Sequence, residues 1–77
     1  MVTEPEKVLD VRGLLCPLPV LKARKRLLAM RTGEILRVEA TDPMAAIDVP
    51  HFCTEAGHEL VSQTRDGEIY VFQVRKG

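Results

Sequence analysis

Short stretches in which apolar and polar residues alternate are separated along this chain by two longer stretches of helical periodicity. Strict alternation predicts half-buried strands, whereas apolar residues recurring every three or four positions predict amphipathic helices. In the second strand, Leu36, Val38 and Ala40 share one side, and Arg37 and Glu39 share the other. The strands predicted in this way are residues 8–11, 34–41, 60–64 and 69–74.

Both predicted helices begin at a proline and end near a glycine, as helices commonly do. The first begins at Pro17 and ends before Gly33. The second begins at Asp42-Pro43 and ends before Gly57, with a kink, or a restart near Asp48, expected because of Pro50. The residues that form the apolar face of the first helix are Val20, Ala23, Leu27 and Met30.

The resulting order, β-α-β-α-β-β, predicts an α+β fold. Right-handed crossovers place both helices on the same face of the sheet. The turn at Arg65-Asp66-Gly67 makes the last two strands an antiparallel hairpin. We therefore expect a two-layer α/β sandwich with a mixed four-stranded sheet. Residues 1–77 form a single domain in this interpretation, with residues 1–7 flexible.

Composition and charge narrow the class of protein. Apolar residues make up 45% and charged residues 29% of the 77 residues, which is typical of a globular domain. The formal net charge is zero, so the chain has no overall attraction for nucleic acid. No signal-peptide pattern and no membrane-spanning apolar run is present, and we expect a cytoplasmic protein. In that reducing compartment Cys16 and Cys53 would remain thiols.

The segment Gly13–Val20 carries the candidate chemistry. Cys16-Pro17 stands at the predicted start of the first helix, as Asp42-Pro43 stands at the start of the second. Asp is a common N-cap, and the residue before a proline favours the extended conformation of an N-cap. Cys16 would then occupy an N-cap position, where the helix dipole is expected to lower the pKa of its thiol.

The neighbours of Cys16 also affect the expected pKa of its thiol. Pro17 and Pro19 lack N–H groups, which leaves the amides of Leu18 and Val20 as donors to the sulfur. Nearby basic residues add positive potential, and nearby acidic residues would oppose it if they lie close. The basic residues are Arg12, Lys22 and Arg26, and the acidic ones are Asp10 and Asp42.

The rest of the chain lacks the groups that several other cysteine sites need. No His/Asn or His/Asp constellation accompanies Cys16, which argues against an autonomous hydrolase, and no Cys-x-x-Cys pair indicates a dithiol oxidoreductase. His51 and Cys53 point to different sides of a helix, so with His58 they predict no metal site. Cys53 is interpreted as a packing residue. A single activated sulfur without a cofactor suits a carrier that accepts sulfur as a persulfide.

Two motifs resemble those of the TusA/SirA-like sulfur carrier family. The first is Leu9-Asp10-x-x-Gly13-Leu14-x-Cys16-Pro17-x-Pro19, and the second is Asp42-Pro43-x4-Asp48-Val49-Pro50-x-Phe52-Cys53. The resemblance runs from about Leu9 to Lys76. It implies the same two-layer fold and a persulfide on Cys16, with the site shaped by Gly13, Pro17, Leu18 and Pro19.

The resemblance also implies partners. Sulfur would come from a cysteine desulfurase or a rhodanese and pass to a DsrE-type relay protein or another thiol protein. The family's destinations include tRNA 2-thiolation, molybdenum cofactor synthesis and sulfur oxidation. Members that act in enteric tRNA thiolation have an acidic residue where this chain has Leu18, so the pathway stays open. Such a carrier resembles a sulfurtransferase rather than an autonomous multi-turnover enzyme.

The first helix also provides a candidate docking surface. Basic residues on and beside the first helix are expected to contact an acidic partner surface; they are Arg12, Lys22, Lys25 and Arg26. The alternative is a regulatory module that binds RNA or protein, in which Cys16 only caps a helix. Direct nucleic-acid binding is not expected, because Tyr70 and Phe72 are interpreted as core residues.

Overall fold

The computed structural model describes residues 7–77 and confirms the predicted order and fold class. The predicted flexibility of residues 1–7 falls outside the described residues for positions 1–6, and Lys7 begins the first strand. The elements are β1 (Lys7–Val11), α1 (Leu18–Leu28), β2 (Ile35–Ala40), α2 (Ala45–Ala56), β3 (Glu59–Asp66) and β4 (Ile69–Arg75).

The four strands form one mixed sheet in the order β1-β2-β4-β3. β1 and β2 are parallel, with Leu9 opposite Val38, as a crossover through α1 requires. β4 is antiparallel to both of its neighbours, and it pairs with β3 through the predicted hairpin. The carboxyl ends of β1 and β2 therefore meet at one edge of the sheet, where α1 and α2 both begin.

The core lies between the sheet and the helices. The alternation read in β2 is confirmed, because Leu36, Val38 and Ala40 are each fully buried. On the opposite face, where alternate residues point, the guanidinium of Arg37 pairs with Glu39 at 3.0 Å. The side chains that pack with β2 include Ala23, Leu27, Val49, Phe52, Phe72 and Val74.

The helices begin later than their prolines suggested. α1 begins at Leu18, and Pro17 is its N-cap residue. α2 begins at Ala45 with Met44 as N-cap, so Asp42 precedes the helix instead of capping it. The cause is a turn before the helix, in which the amide of Ala45 donates to the carbonyl of Asp42 at 2.9 Å.

Pro50 lies inside α2, which runs from Ala45 to Ala56 without the restart expected near Asp48. Because proline has no N–H, it leaves the carbonyl of Ala46, four residues earlier, without its helical donor. The side-chain amide of Gln63 on β3 donates to this carbonyl at 3.3 Å. A side chain from the sheet thus replaces the missing bond.

Within residues 7–77, no helix has the length and apolar character needed to span a membrane.

Leu27 and Leu28 offer a matched test of this core, because they are adjacent in α1 and differ in burial. Leu27 is 0% exposed and Leu28 is 71% exposed. We expect Leu27→Ala to lower the free energy of unfolding by about 2–5 kcal/mol, because it leaves a cavity. Leu28→Ala should change that free energy by less than about 0.5 kcal/mol. Urea unfolding measures both, and equal losses would contradict the described packing.

Candidate functional site

The loop between β1 and α1 holds Cys16 and is tied to the loop that follows β2. Gly13 has a φ of +79°, a left-handed conformation that glycine adopts without strain. In this position its amide donates to the hydroxyl of Thr41 at 2.9 Å. The amide of Leu14 also donates to the carbonyl of Val11 at 3.2 Å, which closes a turn directly after β1. Gly13 therefore ties the loop before α1 to the loop that follows β2.

The prolines after Cys16 direct the chain into α1. The Cys16–Pro17 peptide bond is cis. The amide of Leu18 donates to the carbonyl of Leu15 at 2.9 Å, and the carbonyl of Pro17 accepts from Leu21 at 3.1 Å. Pro19 is buried in the first turn of the helix, whereas 44% of Leu18 is exposed.

The predicted N-cap position of Cys16 is wrong. Pro17 is the N-cap, and no side chain caps α1. The Leu18 amide, expected as a donor to sulfur, is instead bonded to Leu15. Cys16 therefore lies two residues before the first helical residue, outside the turn in which helix amides are free to bind an anion.

Asp42 anchors the backbone of Cys16. One carboxylate oxygen of Asp42 accepts the amide of Cys16 at 2.7 Å, and the other accepts the amide of Met44 at 3.1 Å. Only 8% of Asp42 is exposed, and a buried carboxylate needs such donors to offset its lost hydration. Asp42 thus joins the loop before α1 to the loop before α2.

Asp48, in the first turn of α2, contacts the sulfur itself. The exposed thiol of Cys16 donates to a carboxylate oxygen of Asp48 with a sulfur–oxygen distance of 3.0 Å. This hydrogen bond raises the pKa of the Cys16 thiol above its ordinary value, and desolvation and the charges of Asp48 and Asp42 act in the same direction. The predicted lowering of the pKa of the Cys16 thiol is therefore wrong.

None of the basic residues predicted for docking lines the hollow beside Cys16. The hollow beside Cys16 has Asp42 and Asp48 as its other ionisable lining residues. Arg12 forms two side-chain hydrogen bonds with Asp10, at 2.9 and 3.0 Å. These bonds lower the pKa of Asp10 to about 2. A separate groove of about 310 Å³ is lined by Lys22, Lys25 and Arg26 together with Leu9 and Ala29.

Exposed apolar residues flank the site on both segments, and the sequence analysis did not single them out. Leu15 is 69% exposed beside Cys16, and Ile47 is 64% exposed beside Asp48. Leu18 and Met44 are also substantially exposed. The signal available from sequence was position, because each of these apolar residues lies within four positions of Cys16 or Asp48.

Cys53 has the structural role predicted for it. It is 2% exposed in α2, and burial raises the pKa of its thiol. Both cysteines are free thiols. Within residues 7–77, no group of three metal-ligating side chains comes together.

Asp48 is the site residue whose role the sequence analysis missed. In the sequence it belongs to the second motif and to the segment where a restart of the helix is expected, and neither feature links it to the sulfur. The topology contained the signal: two right-handed crossovers from adjacent parallel strands place both helix starts at one edge of the sheet. An acidic residue in the first turn of α2 is therefore near the residue that precedes α1.

A family model described as "sulfurtransferase TusA" matches residues 7–76, nearly the whole chain. The chain belongs to the sulfurtransferase TusA family. A SirA-like protein from Desulfitobacterium hafniense has a similar fold, with a TM-score of 0.80 over 91% of this chain and 96% of that one. The two sequences are 19% identical, so this second likeness concerns the fold.

In this TusA-family chain, Asp42→Asn tests whether the buried carboxylate holds the site together. The carboxamide accepts through only one atom, so its NH₂ group would face one of the two amides that Asp42 now binds. We expect the free energy of unfolding to fall by about 1–3 kcal/mol. Asp66→Asn, an exposed substitution at the end of β3, is the control and should change it by less than about 0.5 kcal/mol. Indistinguishable urea midpoints for the two variants would contradict the anchoring role.

Proposed function

We propose that this protein is a sulfur carrier that accepts sulfane sulfur as a persulfide on Cys16 and passes it to an acceptor protein. The observation that carries this proposal is the exposed, free thiol of Cys16, held by bonds from a second segment at the edge of the sheet. Membership of the sulfurtransferase TusA family supports the same reaction class.

The transfer step needs only thiols and one sulfane sulfur. Cys16 Sγ bonds to the terminal sulfur of a donor persulfide while the donor's sulfur–sulfur bond breaks. The thiol of Cys16 and the donor persulfide thus become a Cys16 persulfide and a donor thiol. The proton lost by Cys16 balances the proton gained by the donor sulfur. The exchange is redox-neutral and follows the usual course of attack by a thiolate on a bonded sulfur.

The shape of the site favours a protein partner over a small substrate. The hollow beside Cys16 is too shallow to enclose a small molecule, whereas small-molecule sites usually bury most of their ligand. The donor we propose is a cysteine desulfurase or a rhodanese, and the acceptor is a DsrE-type relay protein or another thiol protein. Transfer would take place in the cytoplasm and feed tRNA 2-thiolation, molybdenum cofactor synthesis or sulfur oxidation.

Incubation with a cysteine desulfurase and cysteine tests the proposal. Intact mass should rise by about 32 Da, the mass of one sulfur atom, and return to its starting value on reduction. Cys16→Ser should abolish the adduct. Cys53→Ala is the matched control and should retain it, because the thiol of Cys53 is buried. An adduct that persists in Cys16→Ser would refute the assignment of Cys16.

Docking of the donor is proposed at the basic groove of Lys22, Lys25 and Arg26. These side chains line one open groove on α1, and a surface of one charge sign accelerates encounter with an oppositely charged partner. Arg12 contributes less free charge in this proposal, because it is paired with Asp10.

Lys25→Glu should slow sulfur loading severalfold at low salt, with the difference shrinking as ionic strength rises. Arg24→Glu, also exposed on α1 but outside the groove lining, changes the net charge equally and is the control. Loading rates are measured by intact mass over time. If the two variants load at equal rates, net charge and not the groove governs docking.

A further inference from the structure

The carboxylate of Asp48 bonds to a residue outside its own helix. An acidic residue in the first turn of a helix commonly bonds to that helix's free amides, yet no side-chain cap is formed at the start of α2. The hydrogen bond of Asp48 goes instead to the sulfur of Cys16, a residue 32 positions earlier in the chain. Helix capping therefore does not account for where this carboxylate lies.

In the described part of the chain, Asp48 forms no ion pair with a basic side chain. Within residues 7–77, none of the ion pairs includes Asp48 or Asp42. The nearby part of α1 contributes Pro19 and Val20 to the hollow, and the chain before it contributes Pro17. The ionisable groups that face Cys16 are therefore Asp48 from α2 and Asp42 from the preceding loop, and both are acidic.

We propose that Asp48 is a positioning residue that holds Cys16 as a protonated thiol in the free protein. The carboxylate accepts the thiol proton at 3.0 Å, and a thiolate in the same place would put two negative charges in contact. The free carrier then reacts slowly with small electrophiles. This inference rests on the proposed function in taking Cys16 as the reacting group.

Alkylation of the free protein by iodoacetamide, followed from pH 6 to 11, tests this role. Peptide mass identifies Cys16 as the modified residue. Asp48→Asn should move the inflection of the rate to lower pH, because the carboxamide carries no charge to oppose the thiolate. Each unit of that shift raises the thiolate fraction about tenfold at neutral pH but lowers its nucleophilicity about threefold, so the rate should rise about threefold per unit.

The matched control is Glu55→Gln, which removes one negative charge from the same helix two turns farther on, about 10 Å along its axis. Its profile should coincide with that of the original protein. Asp48→Ala removes the carboxylate without introducing a donor and should shift the inflection in the same direction as Asp48→Asn. Circular dichroism melting establishes that each variant is folded.

Profiles of Asp48→Asn and Asp48→Ala that coincide with the original would overturn the role of Asp48. A shift as large in Glu55→Gln would also overturn it, because helix charge in general would then be responsible. The assay uses no sulfur donor, so its failure leaves the persulfide proposal intact. Conversely, a shifted profile in a protein that never acquires sulfur would reject the carrier function and retain the role of Asp48.

Discussion

The site depends on one buried carboxylate that is shared between two loops. The strands β1 and β2 are parallel neighbours, and each is followed by a loop with amides that neither strand nor helix satisfies. Asp42 accepts one amide from each side, at Cys16 and at Met44. These two bonds hold the start of α2 beside Cys16, and this placement brings the carboxylate of Asp48 within hydrogen-bond distance of the sulfur. Without the two hydrogen bonds of Asp42, the loop before α1 would not be held against the start of α2.

The fold could be predicted from sequence because burial leaves a local, periodic trace. Alternation in residues 34–41 and the helical spacing of Ala23 and Leu27 mark the sides that face the core. The environment of the cysteine leaves no such trace. Its bonds come from residues 26 and 32 positions away, so they depend on how the two crossovers meet at the sheet edge.

Cys16-Pro17 and Asp42-Pro43 resemble each other because each pair precedes a helix and contributes to the bonds of the site. The sequence predicts a helix cap at each position, but α1 begins at Leu18 and α2 at Ala45, each beyond its expected cap. Side chains ahead of a helix are free to bond elsewhere. The carboxylate of Asp42 accepts the amide of Cys16, and the thiol of Cys16 donates to Asp48 in α2. The distribution of charge along the sequence was also misleading, because it indicated a positive environment for the sulfur. The amino-terminal half is rich in Lys and Arg, yet the side chain that accepts the thiol proton is the carboxylate of Asp48, from the other half.

Pro50 gives α2 a property that an ordinary helix start lacks. The first turns of a helix usually open and close readily, since few bonds hold them. Here the carbonyl of Ala46, freed by Pro50, is bonded to Gln63 on β3. This hydrogen bond joins the first turn of α2, which contains Asp48, to the edge strand β3. Opening this turn breaks a bond to the hairpin as well as bonds along the helix. The turn that holds Asp48 therefore frays less readily than the end of an isolated helix.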